Sequence, residues 1–212
     1  MPAVWQMRRK HNIKSWEIKK HKACLNIDGS KMRQGLHYDQ TYTPVASWNP
    51  ICLLLILVAI EKWHTQQINY VLAFPQAPAE KETHMKPQKD FQITEDNSDK
   101  YILQLNKNVY DQKQASQVWN KYLENKLVTR VGFTKSRVDE CIFYKNRIIY
   151  VLYTDDSILA CLDKKEIEEI MRQIENADLN ITEEGDIRDF LGVNIKTNEN
   201  GKIELTQPHL VD

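Results

Sequence analysis

The stretch IIYVLYTDDSILACL, residues 148–162, sets two adjacent aspartates in the middle of an apolar, β-branched run. Ionised carboxylates cost heavily to bury unless something positive shares them. One continuous core strand is therefore excluded. The stretch reads as two strands, YVLYT and SILACL, meeting at a tight turn that holds Asp155 and Asp156 at a sheet edge. Just upstream, CIFYK (141–145) and RIIYVLYT (147–154) lie too close for anything but a second hairpin, turning near Asn146. Consecutive hairpins make an antiparallel sheet, and the other elements must pack on it.

Periodicity supplies those elements. DKKEIEEIMRQIENA (163–177) places Ile167, Ile170, Met171 and Ile174 on one helical stripe, with Asp163 as its cap. QASQVWNKYLENKLVTRVGF (114–133) sets Ala115, Val118, Trp119, Tyr122, Leu123 and Leu127 at helical spacing, with Gly132 as a stop. After the loop TPVASWNP, with Ser47 or Asn49 as N-cap and Pro50 in the first turn, a helix over about 50–63 is expected. Its run ICLLLILVAI is apolar on nearly every side, which predicts deep burial. Ten residues are too few to span a bilayer.

EIKKHKACLNID (17–28) reads as a strand ending at Gly29-Ser30, and TQQINYVLAF (65–74) as a strand running into a turn at Pro75. Residues 81–100 are polar and turn-rich, a projecting loop or hairpin. FLGVNIKTNENGKIELTQ (190–207) is a hairpin around Asn200-Gly201. The fold class that follows is α+β.

Cys24, Cys52, Cys141 and Cys161 are widely spaced with no CxxC pair, which argues against a zinc site and against a disulfide framework. With no apolar segment resembling a secretory signal near the N-terminus, the expected location is intracellular, cytoplasm or nucleus. The net charge of zero hides an asymmetry: residues 1–35 carry nine lysines and arginines against Glu17 and Asp28, a net of +7. With Trp5 and Trp16 interleaved, this basic arm suits a polyanion by charge and stacking. A solvated basic surface is the alternative.

Two readings of the paired acids also stand. Aspartate is a preferred turn residue. Alternatively, two carboxylates at a sheet edge stay ionised by sharing a divalent cation, as magnesium is held by one or two carboxylates plus substrate phosphates.

Taken in order, AVWQMRRKHNIKSWEIKKHKACLNIDGS, YDQTYTPVASW, QQINYVLAFPQAP, LNKNVYDQKQASQVW, VDECIFYK, YVLYTDDSILA and DFLGVNIKTNENGKIELTQPHLVD resemble the reverse transcriptase domain of copia-type LTR retrotransposons. The resemblance implies RNA-directed DNA synthesis by two-metal phosphoryl transfer with Mg²⁺ or Mn²⁺. Its partners would be an RNA template, a DNA primer and deoxynucleoside triphosphates. It also implies a fingers-and-palm fold whose antiparallel palm sheet packs on helices, thumb and RNase H being absent.

The divisions would be 1–45 (fingers strands with the basic arm), 46–80 (palm), 81–118 (fingers), 119–207 (palm with both hairpins) and 208–212 (start of a thumb). YTDD resembles the family's Y-x-D-D box, so Asp155 and Asp156 correspond to metal ligands, with Tyr153 and Thr154 at the floor of the primer terminus. Phe74 falls at the steric gate against a ribose 2′-hydroxyl; read without the resemblance, it is a buried aromatic ending a strand. Lys22, Lys113 and Gln114 correspond to substrate contacts, and Leu191 and Gly192 to the tip of the primer grip.

The match departs from the family at functional positions. Asn69 stands where the third carboxylate belongs, which removes one charge from the expected cation site. Cys24 replaces an arginine, Asp111 a glycine, and Gln117 the arginine of R-x-W, while HMKPQKDF (84–91) is a scrambled form of the family's segment. Impaired catalysis is therefore expected. The alternative is a catalytically dead remnant that binds primer and template, or a pseudogene product.

Overall fold

The fold, taken from a computed structural model, is described for residues 1–11, 17–87, 101–198 and 200–207. Trp16, the second half of HMKPQKDF (88–91) and the expected thumb start at 208–212 lie outside the described residues. The chain divides into two compact units, Met1–Thr43 with Ala73–Tyr122, and Pro44–Leu72 with Leu123–Asp212. Residues 73–80 thus group with the N-terminal segment.

In the first unit, β1 (Ala3–His11) pairs antiparallel with β2 (Ile18–Ile27). The basic arm is therefore largely a strand, and Arg8 sits directly opposite Lys22. Like charges at opposed positions repel, which makes this ribbon receptive to an anion. Pro75 does not end in a simple turn: it lies inside α2 (Ala73–Gln76), a single turn of helix whose first residues need no amide donor. β4 (His84–Met85) pairs antiparallel with β5 (Leu103–Gln104), and most of the expected projecting segment 81–100 lies outside the described residues. The helix α3 (Ala115–Lys126) carries the chain from the first unit into the second.

The second unit is built on six antiparallel strands. In spatial order they are β10 (Ile181–Gly185), β3 (His64–Tyr70), β9 (Asp156–Cys161), β8 (Ile148–Tyr153), β7 (Ile142–Lys145) and β6 (Thr134–Lys135). One face is covered by α1 (Trp48–Glu61) and by the three-stranded sheet β11 (Asp189–Phe190), β12 (Val193–Thr197) and β13 (Ile203–Thr206). Ile51, Leu54, Val151, Ile158, Phe190 and Ile195 form that core. On the opposite face α4 (Lys164–Asn176) packs through Ile167, Ile170, Met171 and Ile174. With both faces covered, β8 and β9 are apolar almost throughout, as buried strands should be.

Local signals account for the ends of these elements. The Asp163 carboxylate accepts from the Lys165 amide at 2.9 Å, Asn146 is left-handed at the β7–β8 turn, and Gly132 caps the π-turn Leu127–Val131 that follows α3. Ser47 is the N-cap of α1, although its hydroxyl makes no capping bond.

The expected deep burial of α1 is wrong. Only Ile51, Leu54 and Leu55 are buried, while Leu53, Ile56 and Ile60 are 53–68% exposed. A helix laid on one sheet face can bury only a stripe, whatever its remaining side chains are. Among the described residues no helix is long and apolar enough to cross a membrane.

Candidate active site

The turn between β8 and β9 is as tight as a hairpin allows. Tyr153 pairs with Asp156, leaving Thr154 and Asp155 as its two central residues. Thr154 has φ +53°, a region where a β-branched side chain costs about 1–3 kcal/mol and where such turns ordinarily take glycine. The buried ladder on either side holds it there. The amide of Tyr70, at the end of β3, donates to the Asp155 carbonyl at 2.8 Å and ties the turn to the neighbouring strand.

That strand brings residue 69 to the acids. Asn69 and Asp156 are register partners in the β3–β9 pair, and the Asn69 amide Nδ2 donates to Asp156 Oδ1 at 2.9 Å. Two side chains 87 positions apart meet because both project from the same sheet face. The opposite amide orientation would set an oxygen against a carboxylate oxygen, so the donor must face Asp156.

This donor set can be tested against a divalent cation. By chemistry alone, the Asp156 carboxylate and the remaining Asn69 oxygen, with the Asp155 carboxylate of the adjoining turn, suit one hard cation whose shell is completed by water and phosphate oxygens. They do not fit a pair of cations bridged by a shared carboxylate, because position 69 is neutral and its N–H already occupies Asp156. Among the described residues, no group of three or more His, Cys, Asp or Glu side chains is arranged to hold a metal ion.

A second hairpin adjoins the first. Phe190 pairs with Val193, so Leu191 and Gly192 are the two-residue tip between β11 and β12, with φ +54° and +75°. Leu191 rests against the core of α1, β8 and β9. The Tyr153 ring meets Phe190 edge-on, centroids 6.2 Å apart, so the aromatic of YTDD sits on the hairpin that carries Leu191 and Gly192.

The remaining expected site residues belong to the first unit. Phe74, half-buried in α2, packs its ring against Tyr110 at 5.0 Å. Lys22 Nζ lies 6.0 Å from the centre of the same Tyr110 ring. Arg8, Lys22, Cys24, Asn26, Tyr110 and Asp111 line one pocket of about 240 Å³. Asp111 has φ +67°, a backbone that favours glycine, and its carboxylate accepts from Asn26 Nδ2 at 2.6 Å. Lys113 is exposed, whereas Gln114 is buried with its Oε1 unpartnered. Gln117 donates to Gln40 Oε1 at 3.2 Å.

Comparison with known proteins adds a finding of a different kind. The family model described as reverse transcriptase (RNA-dependent DNA polymerase) matches residues 1–212. The chain belongs to that family. It is 30% identical over 196 residues to the retrovirus-related Pol polyprotein from transposon RE2 of Arabidopsis thaliana, covering 91% of this chain and 13% of the polyprotein. To the Pol polyprotein from transposon TNT 1-94 of Nicotiana tabacum it is 24% identical over 202 residues, covering 92% of this chain and 15% of the relative. The transposon RE1 polyprotein of Arabidopsis thaliana is 28% identical over 196 residues, 91% of this chain and 13% of its own length. The chain is thus a copia-type reverse transcriptase domain spanning about one seventh of the polyproteins it matches.

Sequence reasoning missed two features of this reverse transcriptase domain. Arg8 stands opposite Lys22, which only the β1–β2 register reveals. Tyr70, Tyr150 and Ser157 form a buried chain of hydroxyls behind the candidate site. The one available hint was that Tyr70 and Ser157 directly follow Asn69 and Asp156. Burial pushes both phenols well above the ordinary tyrosine range.

Proposed function

We propose that this chain carries out RNA-directed DNA synthesis, with the second unit as palm and the first as fingers, and that its catalytic output is low. Asp155 and Asp156 would hold one Mg²⁺ or Mn²⁺ ion, with Asn69 as a neutral third oxygen ligand. When bound, such an ion polarises phosphate oxygens and stabilises the charge that develops during phosphoryl transfer.

The chain's own residues do the rest. The strained Thr154 turn would present the carboxylates at the end of the two central strands β8 and β9, with Tyr153 as a flat floor beside them. The Leu191–Gly192 tip, joined to Tyr153 through Phe190, is placed to grip a primer strand. Lys22 supplies positive charge for a triphosphate, and Phe74, against Tyr110, offers a flat ring that excludes a 2′-hydroxyl by shape. Lys113 would meet substrate at the surface, and Gln114 from within the unit.

The observation that carries this reading is the 2.9 Å approach of the residue-69 side chain to Asp156. The same hydrogen bond favours a second reading, in which the domain binds primer and template without turnover. An N–H donor there satisfies a carboxylate oxygen that a cation would otherwise use.

One paired assay separates the two. Primer extension on an RNA template, with Mg²⁺ and separately Mn²⁺, is expected to be feeble for the native chain. It should rise on the order of a hundredfold in Asn69→Asp, the scale of one electrostatic contribution to a transition state. Extension by neither protein overturns the enzyme reading. Binding of an RNA–DNA hybrid that weakens steeply with salt then supports the second.

A further inference from the structure

Behind Asn69 and Asp156, on the opposite face of the six-stranded sheet, three hydroxyls meet inside an otherwise apolar core. They come from three adjacent strands: Tyr70 from β3, Ser157 from β9 and Tyr150 from β8. All three residues are fully buried. The Tyr70 and Tyr150 oxygens are 2.8 Å apart, and Tyr150 donates to Ser157 Oγ at 2.7 Å. Each hydroxyl has one proton, so Tyr70 must donate to Tyr150 and the chain runs in one direction. The rings of Phe133 and Phe143 enclose Tyr150, at 5.5 and 5.9 Å between centroids.

Stability alone does not call for this chain. Removing every polar member of a buried hydrogen-bonded set together is close to neutral, whereas removing one orphans the others. Two phenylalanines and an alanine would fill nearly the same space. What apolar packing lacks is direction. Hydrogen bonds of this length tolerate only small changes in distance and angle, and they fix how far one strand can slide past the next.

The ends of the chain stand beside the candidate site, because Tyr70 follows Asn69 and Ser157 follows Asp156. The Tyr70 amide also holds the Asp155 carbonyl. We infer that Tyr70, Tyr150 and Ser157 are positioning residues, a buried hydroxyl relay that sets the separation between Asn69 and Asp156 on the other face and holds the turn that carries Asp155. Its functional meaning rests on the proposed cation-handling role of those three residues.

The test uses the full chain, ¹⁵N-labelled, in three forms: native, the triple variant Tyr70→Phe/Tyr150→Phe/Ser157→Ala, and Phe143→Leu. The last touches Tyr150 but removes no hydroxyl. Amide hydrogen exchange is expected to be at least tenfold faster at Tyr70 in the triple variant, with β7–β8 amides within twofold of native. Phe143→Leu should accelerate β7 and β8 instead. If the triple variant does not fold, Tyr70→Phe alone, which keeps the Tyr150–Ser157 bond, should give about a threefold local increase. Unchanged protection at Tyr70, or an equal increase across the whole sheet, overturns the inference.

Binding of Mn²⁺ alone, followed by electron paramagnetic resonance, is then expected to be several-fold weaker in the triple variant than in the native chain. Equal affinity overturns the positioning role. If the native chain binds no Mn²⁺, the cation reading falls by itself, and hydrogen exchange alone decides the relay.

Discussion

Two hairpins of the second unit have the same size of turn and put it to opposite uses. Thr154-Asp155 and Leu191-Gly192 are both two-residue connections, and each begins on a non-glycine residue in the left-handed region, at φ +53° and +54°. At Leu191 the cost is offset locally, since the side chain packs on the core and glycine follows. At Thr154 no glycine relieves the turn, and two carboxylates adjoin the strained residue. Strain that burial explains belongs to the fold. Strain that sits beside charge and is held from the next strand is not explained by burial, and it coincides with the site proposed above to handle a cation.

The largest expected difference between the hairpins is in cation binding. Asp156→Asn should weaken Mn²⁺ binding more than tenfold by electron paramagnetic resonance, while Leu191→Ala leaves it within twofold. Equal effects would erase the distinction. Stability should then divide them with opposite signs. Leu191→Ala keeps the left-handed backbone but loses a half-buried side chain, and should cost about 1–2 kcal/mol in urea unfolding. Thr154→Gly relieves the turn and should stabilise the protein by about 1 kcal/mol in the same measurement. A destabilised Thr154→Gly would show that the threonine side chain holds the turn rather than strains it.

The smallest effect near neutrality is the response to pH. Burial, then Asp139 and Glu140, push the Cys141 thiol up to about 12 from 9.0, and burial also raises Tyr70 and Tyr150. A raised value means that the folded state holds its proton more tightly than the unfolded chain. Stability is therefore complete below pH 9 and declines as pH rises from 9 towards 12. Urea unfolding as a function of pH should be flat from 6 to 8 with respect to these groups, and Cys141→Ala should remove the earliest part of the alkaline decline.

How far the sequence could be read follows from which signals are local. The Ile167, Ile170, Met171 and Ile174 stripe, the Asp163 cap, the Asn146 turn and the hairpin through Gly201 are written in a few neighbouring residues, and each is found where expected. The α1 segment misled because uniform apolarity says nothing about how much of a helix its neighbours can cover. β1 and β10 escaped notice for the opposite reason, being strands with mostly exposed, polar faces and no alternation to detect.

At the candidate site, the tight turn was legible in YTDD itself. That Asn69 lies opposite Asp156 became an expectation only through family resemblance, because strand order is not a local property. The hydroxyl chain had no comparable cue: it needs three strands in one order, and nothing in the residues around Tyr150 announces that.

The outermost strand β10 also has a bearing on how the protein behaves in concentrated solution. Sheet borders with free amides and carbonyls recruit strands from other molecules and seed aggregation. Here the border carries Glu183 and Glu184, both exposed, and its pairing with β3 shifts register before Gly185. Repulsion between like-charged borders and a locally bent backbone together deny an incoming strand a straight, neutral template. The opposite border, β6, is only two residues long. The six-stranded sheet is thus closed to edge-on growth at both sides.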